Sequence, residues 1–280
     1  MTIRIWGVRG SIPTPGEQTN RYGGNTTCIE VRLGDGTLLV VDAGSGIRCL
    51  GNRLLEEDSI TELYLFVTHS HWDHLMGFPF FVPAYLDRFR IHVRGGPQAT
   101  HSLERFLAHQ MEPPFFPVEF DVLKAKFDFS YAALEEQSIG SCTVLPVPLS
   151  HPNGGYGFRF VEEGKSFMFL TDNELGFQHK DGLTHEAYVT ACRDVDLLLH
   201  DAQYTDKDYE TKKGWGHSTF SAATDLAIEA GAKRLGLCHH DPDRTDNDMD
   251  AQVEACQTRI QSAEASVACF GVREGTAIVV

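Results

Sequence analysis

The chain has 280 residues, 42% of them apolar, enough to bury a core in one large domain or two small ones. Its formal net charge of −15 argues against a long polynucleotide partner, because a protein gripping many phosphates presents a basic surface. Seven cysteines are scattered, odd in number and without a CxxC pair, so neither a disulfide framework nor a cysteine-built zinc knuckle is expected.

The first six residues enter a strand at once and lack the layout of a signal peptide. No apolar run approaches membrane-spanning length, so no membrane partner is expected and the cytoplasm is the expected location. Strand-like runs follow at 2–6, 26–32, 37–42, 63–68, 89–93, 143–148, 157–161, 166–171, 197–200, 234–238 and 277–280. Helical spacing of apolar residues covers 99–110, 219–230 and 250–263, the second with Ser218 as its N-cap and Gly231 as its stop. Helices that come singly among many strands predict an α/β (α+β) fold of sheets facing each other with helices outside, rather than an alternating βαβ wheel. No Ser/Gly linker divides the chain, so residues 1–280 read as one domain.

The densest chemistry lies at Thr68-His69-Ser70-His71-Trp72-Asp73-His74, directly after the apolar run Leu63-Tyr64-Leu65-Phe66-Val67. A buried strand ending in three imidazoles and a carboxylate strips water from all of them, and a metal ion is the natural replacement. His69 and His71 are two apart and point the same way in an extended segment. Asp73 and His74 follow where the chain turns, so one segment can feed two adjacent metal positions. Other strands also end in such side chains: Val41 leads to Asp42, Leu149-Ser150 to His151, Thr171 to Asp172, Leu199 to His200 and Cys238 to His239. Sites commonly form beyond the carboxyl ends of strands.

The signature His69-x-His71-x-Asp73-His74, followed in order by His151, Asp172 and His239, with Val41-Asp42-Ala43-Gly44 ahead of it, resembles the metallo-β-lactamase superfamily. The resemblance implies a four-layer αβ/βα sandwich holding two divalent metals at the sheet edge. By it, His69, His71 and His151 would hold one metal, Asp73, His74 and His239 the other, and Asp172 would bridge them. The mixed His/Asp set suits zinc, and manganese and iron accept the same donors. His239 is preferred over its neighbour His240 because it follows the strand directly. Asp42 is expected to orient a ligating imidazole, to make an Asx-turn before Gly44, or both.

Gly216-His217-Ser218-Thr219 resembles the His-Ser-Thr motif of the phosphodiesterase branch, which includes ribonuclease Z and cyclic-phosphate phosphodiesterases. There the histidine, His217 here, serves the phosphoryl group and is not a ligand. Its turn before a helix suits a phosphate. Asp73 would orient the attacking hydroxide. Ribonuclease Z often carries a tRNA-clasping arm between the third and fourth metal motifs. The short stretch from His151 to Asp172 leaves no room for one, so a small phosphodiester is the expected substrate. The glycine-flanked loops around Arg9 and Asn25 also look like the small-substrate members, which brings those two residues near the pocket. The rivals are hydrolysis of a thioester or lactam, an iron oxygenase, and a non-catalytic metal-stabilised sensor or scaffold.

Three features have plainer readings. The acidic run 241–248 lacks the glycine and glutamate of a calcium loop and reads as a solvated turn before a helix. The apolar loop 111–120 can cap the pocket, form a homodimer contact or join the core. His92, His101, His109, His179 and His185 have no motif around them, and His200-Asp201 is expected to support the site rather than ligate.

Overall fold

The computed structural model describes residues 1–95, 103–130 and 135–280. Two seven-stranded sheets form the centre. The first contains β1 (Thr2–Gly7), β2 (Cys28–Arg32), β3 (Leu38–Val41), β4 (Glu62–Val67), β5 (Arg90–Gly95) and β6 (Lys126–Phe129), with β14 (Ala277–Val279) beyond β1, in the order β14-β1-β2-β3-β4-β5-β6. The second contains β7 (Gln137–Ile139), β8 (Cys142–Pro148), β9 (Tyr156–Glu162), β10 (Lys165–Leu170), β11 (Leu197–Asp201), β12 (Arg234–Cys238) and β13 (Ala268–Gly271), in the order β13-β12-β11-β10-β9-β8-β7. Each sheet is antiparallel from one edge to its middle strand and parallel from there to the other edge, so the two repeat one plan.

The alternation of side chains along the strands builds the layers. Leu39, Val41 and Phe66 of the first sheet and Phe158, Phe160, Phe167, Phe169, Leu197 and Leu199 of the second fill the space between the sheets. Their neighbours point outward to helices. Leu38, Val40, Leu63 and Leu65 lie under α1 (Ile47–Leu54) and α2 (Leu103–His109). Met168, Leu198, Leu235 and Leu237 lie under α3 (His185–Ala191), α5 (Phe220–Glu229) and α6 (Asp246–Ser262). A further helix, α4 (Asp206–Lys212), has no buried residue. The layers run helix, sheet, sheet, helix, as expected.

Several boundaries differ from expectation. Thr219, not Ser218, caps α5, accepting the Ala222 N–H. The Ser218 hydroxyl instead donates to the Asn173 carbonyl at 2.5 Å. The last helix starts four residues before 250 because Thr245 and Asp248 form a capping box. The acidic run ahead of it is less solvated than expected: Asp241 and Asp246 are buried, and Asp246 accepts the backbone N–H groups of Arg21 and Tyr22. Residues 99–102 of the expected helix 99–110, and with them His101, lie outside the described residues. In the 111–120 loop Met111 is buried and Phe116 rests against the core under α1 and α2, whereas Phe115 is exposed. All seven cysteines are free thiols. No helix among the described residues is long and apolar enough to cross a membrane.

Candidate metal centre

The site sits where β3, β4, β10 and β12 end. Four non-glycine residues there adopt left-handed backbone: Ser11 (φ 64°), Asp42 (φ 63°), Asp172 (φ 52°) and His239 (φ 58°). This conformation is disfavoured for residues with a Cβ and gathers at functional sites, where it turns a side chain sharply out of its strand. Beyond β4 the chain bends at Thr68, is extended at His71 and then makes one 3-10 turn, Trp72–His74. The change from extended to turned backbone sends the first two histidines one way and Asp73 and His74 another.

Two donor sets result. In one, the His71 Nδ1 lies 3.0 Å from the Nε2 of His69 and 3.0 Å from that of His151, while Asp172 Oδ2 lies 3.6 and 3.8 Å from the same two Nε2 atoms. In the other, the Nε2 of His74 and of His239 lie 3.3 and 3.4 Å from Asp73 Oδ2, and each lies 3.2 Å from Asp172 Oδ1. Four donors about 2.1 Å from a tetrahedral ion stand roughly 3.4 Å apart, so both sets have the dimensions of a cation cage. His74 Nε2 and His239 Nε2 are buried without a hydrogen-bond partner, an orphaning that an ion would relieve.

Electrostatics point the same way. Burial, reinforced by His74, holds the His69 imidazole well below the ordinary histidine range, and burial pushes His151 down to about 3. Neutral imidazoles are what a metal requires. Burial also works against charge on Asp73 and Asp172, yet the histidines beside them outweigh it and hold both carboxyls far below the usual range. His239, despite its burial, is lifted to about 9 by Asp172 and Asp73. The carboxylates thus draw positive charge toward His74 and His239, whose rings give up those protons when they ligate. These His/Asp clusters fit divalent metal ions.

The supporting contacts are ordered. Asp42 accepts the Thr68 N–H at 2.8 Å and faces His74 Nδ1 at 2.7 Å, so its carboxylate goes to an imidazole and to Thr68. His151 Nδ1 donates to the Gly216 carbonyl at 2.8 Å, and His239 Nδ1 lies 2.9 Å from Gln203 Oε1. Ser11 N–H donates to Asp73 Oδ2 at 2.7 Å. A Cβ on Gly10 would strike the His239 ring, and one on Gly216 the His151 ring. His217 stacks against His239 with ring centres 5.0 Å apart, and its Nδ1 lies 3.4 Å from Asp201 Oδ2. Its Nδ1 is buried without a hydrogen-bond partner.

The remaining candidates divide. His240 turns away and donates to the Val272 carbonyl at 2.9 Å, so of the adjacent pair only His239 faces the cage. The Arg9 and Asn25 expectation is corrected. Arg9 is fully buried and donates to the carbonyls of Gly23, Asp241 and Arg244, while Asn25 binds Glu274 and Ser45. Their loop reaches the site only through backbone, at Gly10 and Ser11. His200 bonds Asn173 and the Asp201 carbonyl, leaving Asp201 alone of that pair against the histidines. Sequence reasoning missed Glu174, a fully sequestered carboxylate that accepts from Tyr209 Oη, Gly214 N, Gly216 N and His179 Nε2 at 2.6–2.9 Å. It fixes the loop carrying His217. Its position two residues after Asp172 was the only available signal.

Asp42→Asn tests the support beneath His74. Asparagine tolerates the left-handed backbone but removes the charge facing Nδ1. Divalent-metal affinity, measured by competition with a chromogenic chelator, is expected to fall about 10- to 100-fold.

Layers of this kind with a His/Asp cage beyond the strand ends define a metallo-hydrolase type of fold. A model of the beta-lactamase superfamily domain matches residues 37–240, and the chain belongs to that superfamily. It is similar to ribonuclease Z of Haloarcula marismortui, 27% identical with 85% of this chain and 86% of the relative covered. Among solved structures it resembles the metallo-beta-lactamase fold protein YhfI of Bacillus subtilis, with a TM-score of 0.70, 16% identity and 99% and 98% of the two chains covered. It also resembles a diphosphatase from the PhnP family, with a TM-score of 0.67, 19% identity and 100% and 97% covered.

Proposed function

We propose that the chain is a metal-dependent phosphoric diester hydrolase acting on a small phosphodiester, with a pair of divalent cations, zinc first among them. The observation that carries this reading is the double cage sharing Asp172, with His217 beside it, its Nδ1 3.9 Å from Asp172 Oδ2. The likeness to proteins named ribonuclease Z supports phosphodiester chemistry. The stretch between His151 and Asp172 is occupied by the β9–β10 hairpin, and the net charge is −15. Both favour a small substrate over a long nucleic acid. The unpaired thiols suit a reducing compartment, so we place the enzyme in the cytoplasm, and we read residues 1–280 as one domain.

His69, His71, His151 and Asp172 would hold one cation, and Asp73, His74, His239 and Asp172 the other. Cations bound there would polarise the phosphoryl oxygens and supply hydroxide near neutral pH. Asp73, anchored by the Ser11 N–H, accepts a hydrogen bond from the attacking water and orients it. His217, stacked on His239, presents Nε2 to the phosphoryl group, where it neutralises charge on a non-attacked oxygen or protonates the departing alkoxide.

A panel of bis-p-nitrophenyl phosphate, nitrocefin and a glutathione thioester separates this reading from its rivals. Turnover of the phosphodiester alone is expected, lost on chelation and restored by zinc or manganese. Turnover of nitrocefin or the thioester in its place sinks the proposal, and bound metal with no turnover of any substrate supports a scaffold.

A further inference from the structure

The chain has three tryptophans. Trp6 is partly covered, and its Nε1 donates to Glu30 at 2.8 Å. The other two stand in water, Trp72 at 70% exposure and Trp215 at 61%. Each lies one residue from a group that touches the His151 imidazole, one group at either ring nitrogen. Trp72 lies between the candidate ligands His71 and Asp73, and His71 Nδ1 is 3.0 Å from His151 Nε2. Trp215 precedes Gly216, whose carbonyl is 2.8 Å from the other nitrogen of His151.

Neither indole hangs on a loose loop. The Trp72 carbonyl accepts the N–H groups of Leu75 and Met76 at 3.0 and 2.7 Å. The amides flanking Trp215, Gly214 N and Gly216 N, both donate to the sequestered Glu174, at 2.6 and 2.7 Å. A large aromatic surface left in water on anchored backbone is already ordered for contact, which lowers the entropy lost on binding. Lys213, two residues before Trp215, is exposed and has no ionic partner among the described residues. An unpaired cation two residues from one exposed indole, with both indoles close in the chain to a centre proposed to take phosphate, suits an anionic ligand with a planar group.

We propose that Trp72 and Trp215 form a stacking subsite for a nucleobase, so that the substrate is a nucleotide-sized phosphodiester rather than a bare sugar phosphate. This rests on the phosphodiesterase reading above. Every base offers a π-face, so such a subsite selects bases over sugars without choosing strongly among bases. The net charge of −15 disfavours a longer strand.

The test compares 2′,3′-cyclic AMP with base-free ribose 2,3-cyclic phosphate, followed by phosphorus NMR on the metal-loaded enzyme. Wild type is expected to show the lower KM for the nucleotide. Trp72→Ala and Trp215→Ala should each raise that KM about tenfold and leave the base-free substrate within twofold, whereas Trp72→Phe and Trp215→Phe keep most of the preference. AMP, but not ribose 5-phosphate, should quench indole fluorescence, and the double alanine variant should lose that response. Equal KM values for the two substrates in wild type, or equal changes on both in the alanine variants, overturn the proposal. So does a change of sedimentation coefficient in those variants with the substrate ratio intact, which would mark the indoles as a contact between copies. If bis-p-nitrophenyl phosphate is not turned over but AMP quenching persists and vanishes in the double variant, the phosphodiesterase reading fails and the base subsite stands.

Discussion

Asp172→Asn is expected to strip the protein of most of its bound metal and to lower phosphodiester turnover by about 10³-fold or more, since bound cations contribute several kcal/mol to the transition state. Both oxygens of Asp172 are engaged. Oδ1 lies 3.2 Å from the Nε2 atoms of His74 and His239, and Oδ2 lies 3.6 and 3.8 Å from those of His69 and His151. An amide keeps one acceptor oxygen and replaces the other with an NH₂ that cannot coordinate. Asparagine is the substitution of choice because residue 172 has φ 52°, where alanine would add about 1 kcal/mol of backbone strain. Elemental analysis of the purified variant gives the metal content, and circular dichroism reports whether the fold survives. Undiminished metal content would remove Asp172 from its bridging role.

His217→Ala is expected to behave oppositely: metal content unchanged, turnover down about 10²- to 10⁴-fold. The control is necessary because Asp172, His217 and His239 themselves offer donor atoms within 4.8 Å of one another, so loss of metal would reassign His217 as a ligand. The leaving group separates its two chemical roles. Nitrophenolate departs without a proton, whereas an alkoxide needs one. If His217 is the acid, the defect will be much smaller with bis-p-nitrophenyl phosphate than with an alkyl ester. Equal defects would mean that it stabilises charge on the phosphoryl oxygens.

The site was legible because its donors follow strands whose apolar runs are easily seen. His69 and Asp172 each lie two residues past such a run, and His239 lies directly after one. The layered fold was legible from the same runs, since the phenylalanines of β9 and β10 can only face another sheet. The short strands β6 and β7 were not, because neither carries a sustained apolar pattern. Helix α1 escaped notice because its apolar face is carried by only Ile47, Leu50 and Leu54, among glycine, asparagine and arginine. Arg9 misled because the glycine-flanked loop that carries it looks like that of the small-substrate members. Here three main-chain carbonyls take its guanidinium, a partnership invisible until residues far apart in the chain are neighbours. Glu174 was missed for a similar reason, since its partners include Tyr209, Gly214 and Gly216, well downstream.

Loops from the strand ends of both sheets meet at the site, and neither candidate cage is built from one sheet alone. His69 and His71 come from beyond β4, and His151 and Asp172 from beyond β8 and β10. Asp73 and His74 come from beyond β4, and His239 from beyond β12. A cation in either position is thus a rivet through two plates. Draining it would slacken the joint as well as disarm the chemistry, and the temperature at which the plates come apart should climb with the concentration of free metal.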